Sequence, residues 1–320
     1  MSKPKLLDQV RMEIRRRNYS WRTANSYTGW IRSYVHFHNL THPSGLGSDH
    51  VVAFLNHLVE DRNVAASTQN QALCALVFLY KHILKIELPE LEKLKRAKNP
   101  GNLPVVLSES EARTVISRLS GVERIIVCLL YGAGLRISEA LRLRIQDLDF
   151  DYMQIQVRDG KGRKDRVTML PASLKGDLID HIRKVKLLHI RDLARGQGKT
   201  LLPGALAVKY PGASSEFNWQ YLFPSEVRRK DARTGLVHRY HQSEKKIQRA
   251  VKEAARKSGC TKRVSPHVFR HSFATHLLRN GYDVRTVQEL LGHQSLKTTS
   301  VYLHVLNRGG HGVISPLDAT

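Results

Sequence analysis

Four stretches of the 320-residue chain hold side chains able to grip an anion or move a proton. GAGLRISEALRL places Arg136 at a glycine-rich turn entering a helix. A cation at a helix start opposes the helix dipole, so Arg136 calls for an anionic partner, and Glu139 is a candidate. GKGRK puts Lys161 in a polar turn, where a solvated lysine is the plain reading. SPHVFRHSFATHLL opens a helix with Ser265 and Pro266 and sets His267 and Arg270 on one face. LGHQSLKTTSVYLHV carries His293 and then one tyrosine, Tyr302; Gly292 can end one helix and Ser295 can start another of about ten residues. His267 and His271 stand at i, i+4 and could hold a metal. The HExxH pattern is absent, however, and Arg270 would set a cation beside the ion. His276 reads as a structural histidine. Taken singly, each residue has an ordinary structural role, and Tyr302 fits a core position.

Two sets of elements must position these groups. Residues 1–90 read as helices: VVAFLNHLVE and TQNQALCALVFLYKHIL show helical spacing, with Asp49 and Ser67 as caps. LEKLKRAKNPGNLP (91–104) is basic, ends in Pro and Gly, and reads as an exposed linker. A second domain starts near 105 at LSESEARTVISRL, where Ser108 and Glu111 form a capping-box pattern. Within it, MQIQVRDGKGRKDRVTML (153–170) alternates on both sides of its turn, the mark of a β-hairpin. Residues 195–243 are rich in Gly, Pro and aromatics. A loop this long is usually functional, and its aromatic content argues against disorder. The expected fold is mainly α with a small β-sheet or hairpin in the second domain.

The chain has 52 Lys and Arg against 28 Asp and Glu, a net charge of +24. Residues 1–100 carry 15 against 8 and the remainder 37 against 20, so both parts are basic. A chain basic throughout points to a polyanion, with nucleic acid the leading candidate. Cys74, Cys128 and Cys260 are isolated, which speaks against a disulfide framework or zinc site and fits a reducing cytoplasm. The first twenty residues lack the apolar run of a secretory signal, and ALCALVFLY is too short to span a bilayer, so no membrane association is expected.

GLRISE, a lysine in a β-hairpin turn, HxxRHSFATHLL and LGHxSLxTTxxYxHV, in that order across 105–306, together resemble the tyrosine recombinases, or phage-type integrases. The resemblance implies a two-domain DNA clamp whose helical 1–90 part is the SAM-like core-binding domain. It implies an active site of Arg136, Lys161, His267, Arg270 and His293, with Tyr302 as nucleophile and Glu139 and His271 in support. The chemistry suits these residue types. Two guanidiniums, Arg136 and Arg270, can bracket the non-bridging oxygens of a phosphodiester, the task that Mg²⁺ performs in nucleases. No metal or other cofactor is then expected. His267 and His293 add donors. Tyr302 forms a 3′-phosphotyrosine, and Lys161 protonates the 5′-oxygen that leaves. The ester is preserved, so religation needs no ATP.

The segment ALAVKYPGASSEFNWQYLFPSE with VHRYHQSEKKIQRAV looks like the insertion that distinguishes integron integrases, and VLNRGGHGVISPLD is similar to their ending. That resemblance implies gene-cassette integration and excision at single-stranded sites folded into hairpins with extrahelical bases, alongside duplex attachment sites. An extruded base needs a stacking platform and edge donors. Trp219, Tyr210, Tyr240 and His241 are candidates, and Pro211 and Phe217 can shape a pocket; Trp219 equally fits the core of a small subdomain. The family usually has two histidines where this chain has Tyr240–His241. Arg15, Arg16, Arg17 and Arg22 are candidates for phosphate contact or simply a solvated basic face. By resemblance, the tail 307–320 docks on a neighbouring subunit of a DNA-bound homotetramer, in the bacterial cytoplasm at the nucleoid. Rival readings are a phage integrase, a chromosome-dimer resolvase, a type IB topoisomerase, or a non-catalytic DNA-binding protein.

Overall fold

A computed structural model describes residues 4–88, 103–158, 165–203, 206–231 and 234–306. The Lys161 turn, the tail 307–320 and all but the last two residues of the 91–104 linker lie outside the described residues. The chain divides into two compact units, Met1–Asn102 and Leu103–Thr320.

The first unit consists of α1 (Leu6–Arg16), α2 (Trp21–Phe37), α3 (Ser48–Glu60) and α4 (Ala66–Phe78), the last running on to Leu84 as a widened π-type turn. Apolar residues recur on one face of each helix: Val10 and Ile14, then Ile31 and Tyr34, then Val51, Phe54, Leu55 and Leu58, then Leu73 and Leu76, all buried. Tyr34 and Tyr80 meet in this core with hydroxyls 3.0 Å apart. Tyr80 also faces the carbonyls of Pro43 and Leu46, which only accept, so Tyr34 donates to Tyr80. The expected caps Asp49 and Ser67 are corrected: the helices begin at Ser48 and Ala66, so both residues lie in first turns. The His50 ring accepts the Gly47 N–H at 3.2 Å, a capping role that a Ser, Thr or Asp search overlooks.

The second unit contains α5 (Glu109–Ser117), α6 (Gly121–Gly132), α7 (Ile137–Arg142), β1 (Leu148–Asp149), β2 (Gln154–Val157), β3 (Arg166–Met169), α8 (Lys175–Ala194), α9 (Leu206–Lys209), β4 (Pro224–Lys230), β5 (Val237–His241), α10 (Glu244–Lys257), α11 (Pro266–Arg279), α12 (Val284–Leu291) and α13 (Leu296–Leu306). The capping box forms: Ser108 N–H donates to Glu111 at 2.6 Å and Glu111 N–H to Ser108 Oγ at 3.1 Å. Strands β1–β2–β3 make an antiparallel sheet in which Gln154 faces Met169 and Val157 faces Arg166, the expected hairpin. Buried Ile126, Leu129 and Leu130 of α6 share a core with Phe269 of α11 and Ile155 of β2.

Residues 195–243 are not one long loop. They form short helical turns and the antiparallel pair β4–β5, and Leu222 and Phe223 enter the main core. Buried Asp192 of α8 accepts from Arg239 of β5 and Arg228 of β4, fastening the hairpin to the helix. Among the described residues no helix is long and apolar enough to cross a membrane.

Candidate active site

Three elements converge on one carboxylate, that of Glu139. After α6, the backbone turns through Gly134 at φ +65°, where an added Cβ would lie 2.4 Å from the Phe273 ring. Only glycine fits there. The next helix starts at once, with Arg136 as its N-cap and Glu139 at its third position. Glu139 accepts the Arg136 N–H at 2.9 Å and its guanidinium at 2.6 Å, so the arginine at the helix start has the anionic partner its position requires. Glu139 is 8% exposed.

The same carboxylate holds two more arginines. Arg166 of β3 reaches both its oxygens, at 3.0 and 2.7 Å, and donates to the Leu290 carbonyl at 2.8 Å. Arg270 of α11 lies 3.6 Å away, and its guanidinium donates to the Gly134 and Leu291 carbonyls. Burial alone would raise the Glu139 pKa. The bonds and charge of Arg166, the Arg136 amide and Arg270 outweigh it and hold the carboxyl at about 2. Burial and the charge of Arg136 lower Arg270 below the usual arginine range, against the pull of Glu139. Arg166 was not among the residues expected from the sequence. Its signal is slight: an inward charge at a hairpin position facing Val157.

Helix α11 brings the histidines. His276 is structural: its Nε2 bonds the Leu107 carbonyl at 2.9 Å and its Nδ1 faces the Tyr131 hydroxyl at 2.9 Å. His267 is exposed; partial burial together with Arg270 and Arg136 lowers its pKa. His271, one turn on, has its Nδ1 2.9 Å from the Tyr302 hydroxyl. Among the described contacts, Glu139 supports Arg136, whereas His271 supports Tyr302 instead. Burial, then His267 and Arg270, push His271 down to about 4, so it is neutral near neutral pH.

Gly292, at φ +62°, ends α12 as its composition predicted, and an added Cβ would come within 2.9 Å of Arg166. His293 follows. Arg270 lies 3.3 Å from its Nε2, and a guanidinium has only donors, so Nε2 accepts; Nδ1 then carries the hydrogen and donates to Thr299 Oγ1 at 2.9 Å. Tyr302 lies nearly two turns into α13, buried with Phe273, Val287 and Leu291. Its ring stacks on His293 at 6.3 Å. Burial raises its pKa, with Arg270 and Arg136 opposing. Arg136, Glu139, Arg270, His271, His293 and Tyr302 thus form one contiguous network. Lys161 lies outside the described residues.

The insertion residues separate into two groups. Buried Arg144, not expected from the sequence, lies 4.7 Å from the Tyr221 ring centroid and 5.8 Å from that of Trp219. It donates to the carbonyls of Trp219 and Leu201. Tyr221 contacts Tyr240 and His241, both centroids 5.5 Å away, and Tyr240 lies 4.1 Å from His241. Trp219 is half-buried and Tyr240 41% exposed, so this aromatic cluster is part core and part surface. Tyr210 is exposed beside Lys209, and Pro211 is exposed; no described contact joins them to the cluster. Phe217 packs on His189. In the first unit, Arg15, Arg16, Arg17 and Arg22 are exposed where α1 passes to α2, with Arg16 and Arg17 paired to Glu13.

Comparison with known proteins places these features. The phage integrase family matches residues 106–308, and the phage integrase N-terminal SAM-like domain matches 6–90. Proteins described as integrase/recombinase from Escherichia coli and Pseudomonas aeruginosa are each 47% identical over 315 residues, covering 98% of this chain and 94% of theirs. Tyrosine recombinase XerA of Thermococcus kodakarensis is 33% identical over 288 residues, covering 88% of this chain and 84% of its own. The fold is shared with a lambda integrase dimer bound to a COC′ core site, at TM-score 0.64 and 15% identity, covering 98% and 99% of the two chains. It is also shared with XerH bound to difH substrate before cleavage, at TM-score 0.61 and 19% identity, covering 94% and 82%.

Proposed function

The chain belongs to the phage integrase family, the tyrosine recombinases, and from that premise we propose that it exchanges DNA strands at integron attachment sites. The observation that carries the reading is the placing of the Tyr302 hydroxyl on His271, in one network with Arg270 and Arg136. Arg136 and Arg270 bracket the scissile phosphate and stabilise the charge that builds on its oxygens. Tyr302 attacks phosphorus and becomes a 3′-phosphotyrosine. Lys161 delivers a proton to the departing 5′-oxygen, His267 supplies a further donor, and His293, its N–H held by Thr299, orients Arg270 through Nε2. Arg15, Arg16, Arg17 and Arg22 meet backbone phosphates. Recombination proceeds in a homotetramer on DNA, with the 307–320 tail seated on a neighbouring subunit, in the bacterial cytoplasm at the nucleoid.

The cassette reading rests on the insertion. Half-buried Trp219 and the Tyr240–His241 pair, packed against Arg144 and Tyr221, offer the aromatic faces and ring nitrogens that an extruded base requires. Trp219, Tyr240 and His241 are the base-contact residues proposed here, with Tyr210 and Pro211 as outlying candidates. The experiment is covalent trapping without metal on a folded hairpin cassette site and on a perfect duplex, each nicked just beyond the cut. A trapped band that needs Tyr302 and the bulged bases, and that Trp219→Ala loses on the hairpin alone, supports the reading. Equal trapping on both substrates by the Trp219→Ala protein keeps the recombinase and removes the cassette role.

A further inference from the structure

We propose that His271 is the group that takes the proton from Tyr302 when the tyrosine attacks phosphorus. The inference rests on the recombinase reading above and adds a catalytic residue to it.

Elimination among the described neighbours leads there. Arg136, Arg166 and Arg270 have no lone pair to offer a proton. Both oxygens of Glu139 are occupied by guanidiniums. His293 uses Nε2 to accept from Arg270 and Nδ1 to donate to Thr299. His267 has its ring 5.6 Å from that of His271. His271 alone among these touches the reacting oxygen, at 2.9 Å. For Nδ1 to accept from Tyr302, the ring hydrogen must sit on Nε2.

The step balances. The Tyr302 Oη–H bond breaks as Oη bonds phosphorus, and the proton passes to His271 Nδ1. The P–O5′ bond breaks, and the 5′-oxygen takes its proton from Lys161. Religation reverses the sequence, with His271 returning the proton to Tyr302. The surroundings set when this happens. Burial first, then His267 and Arg270 on the same helix, disfavour an imidazolium at His271. Glu139 is committed to its arginines. A phosphodiester between Arg136 and Arg270 adds the negative charge that stabilises a protonated His271. Proton transfer is thereby tied to the arrival of DNA.

The test uses the full chain and a nicked oligonucleotide selected from a randomised hairpin-and-duplex library by covalent capture on wild-type protein. Two versions of that oligonucleotide are compared, with 5′-oxygen and 5′-sulfur at the bridging position; a thiolate leaves without a general acid. His271→Ala and His271→Gln should each slow covalent bond formation roughly 10²- to 10⁴-fold, the usual contribution of general base catalysis. Both should stay slow on the sulfur substrate, whereas Lys161→Ala recovers there. The His271→Ala rate should rise about tenfold per pH unit as the phenol ionises, and should be partly restored by added imidazole. Gln keeps a hydrogen bond to Tyr302, so a loss in both variants separates proton transfer from packing, and DNA binding and thermal unfolding verify the fold. Wild-type rates in His271→Gln, or a defect that sulfur repairs, overturn the proposal. Failure of Tyr302→Phe to abolish the covalent band overturns the recombinase reading itself.

Discussion

Replacing Glu139 with Gln removes the one negative charge that three arginines share while barely changing shape. Lowering a carboxyl from 4.5 to about 2 corresponds to roughly 3 kcal/mol of native-state stabilisation. Breaking a buried ion pair by deleting one partner costs a similar about 3–5 kcal/mol. Glu139 is 8% exposed, so solvent screening discounts this little. For a unit the size of Leu103–Thr320, about 3 kcal/mol is roughly a 6–12 °C fall in Tm. The pH dependence sharpens the prediction. Because the folded pKa is depressed, the stabilisation is fully present above the unfolded value of 4.5 and is lost as pH falls towards 2. The gap between wild type and Glu139→Gln should therefore be full at pH 7 and close in acid. Urea unfolding at pH 7, 5 and 3, followed by fluorescence, measures it. A variant within about 1 kcal/mol of wild type at pH 7, or a gap that does not narrow in acid, refutes the reasoning.

Gly134→Ala should cost about 1–3 kcal/mol or more, because a Cβ would meet the Phe273 ring at a positive φ, and it should also weaken trapping by moving the carbonyl that holds Arg270; calorimetry and the covalent assay check both. Ser108→Ala should cost about 1 kcal/mol through the lost cap, with the rate of covalent trapping unchanged. Tyr302→Phe should abolish covalent capture while altering stability by about 1 kcal/mol or less, since one hydroxyl contact is lost; unfolding and trapping on the same preparation decide it.

The sequence carried most of the skeleton because local signals there agree with tertiary demands. The Ser108–Glu111 box, the alternation across 153–170 and the glycine at 292 each fix a backbone state within a few residues. Arg136 and Glu139 lie three apart on one helix start, so their pairing was legible too. Arg166 and Arg144 were not, because their meaning lies in partners far along the chain: Leu290 for one, Trp219 and Leu201 for the other. The contact of His271 with Tyr302 was illegible for the same reason, since it joins two helices that the sequence places separately. The insertion looked like a loop because Gly and Pro cluster in its first part, at Gly196, Gly198, Pro203, Pro211 and Gly212, while the strands within it are charged and short.

The charge balance around Glu139 connects stability to chemistry. Arg136, Arg166 and Arg270 bring three positive charges against one carboxylate, and all four side chains are largely buried. Such an excess disfavours the protein alone, since like charges in a low-dielectric site repel. The backbone answers part of it: the carbonyls of Gly134, Leu290 and Leu291 accept from Arg270 and Arg166, fixing their planes before any DNA binds. Arg166 is held by the Leu290 carbonyl and by both Glu139 oxygens, which commits it to the protein; Arg136 and Arg270 are the pair proposed to meet a phosphate. An anion there should consequently stabilise the second unit, and more so in Glu139→Gln, where the excess is larger by one. Sulfate at constant ionic strength should raise the variant's Tm more than the wild type's. An equal rise in both would place the anion elsewhere and detach the arginine cluster from phosphate binding.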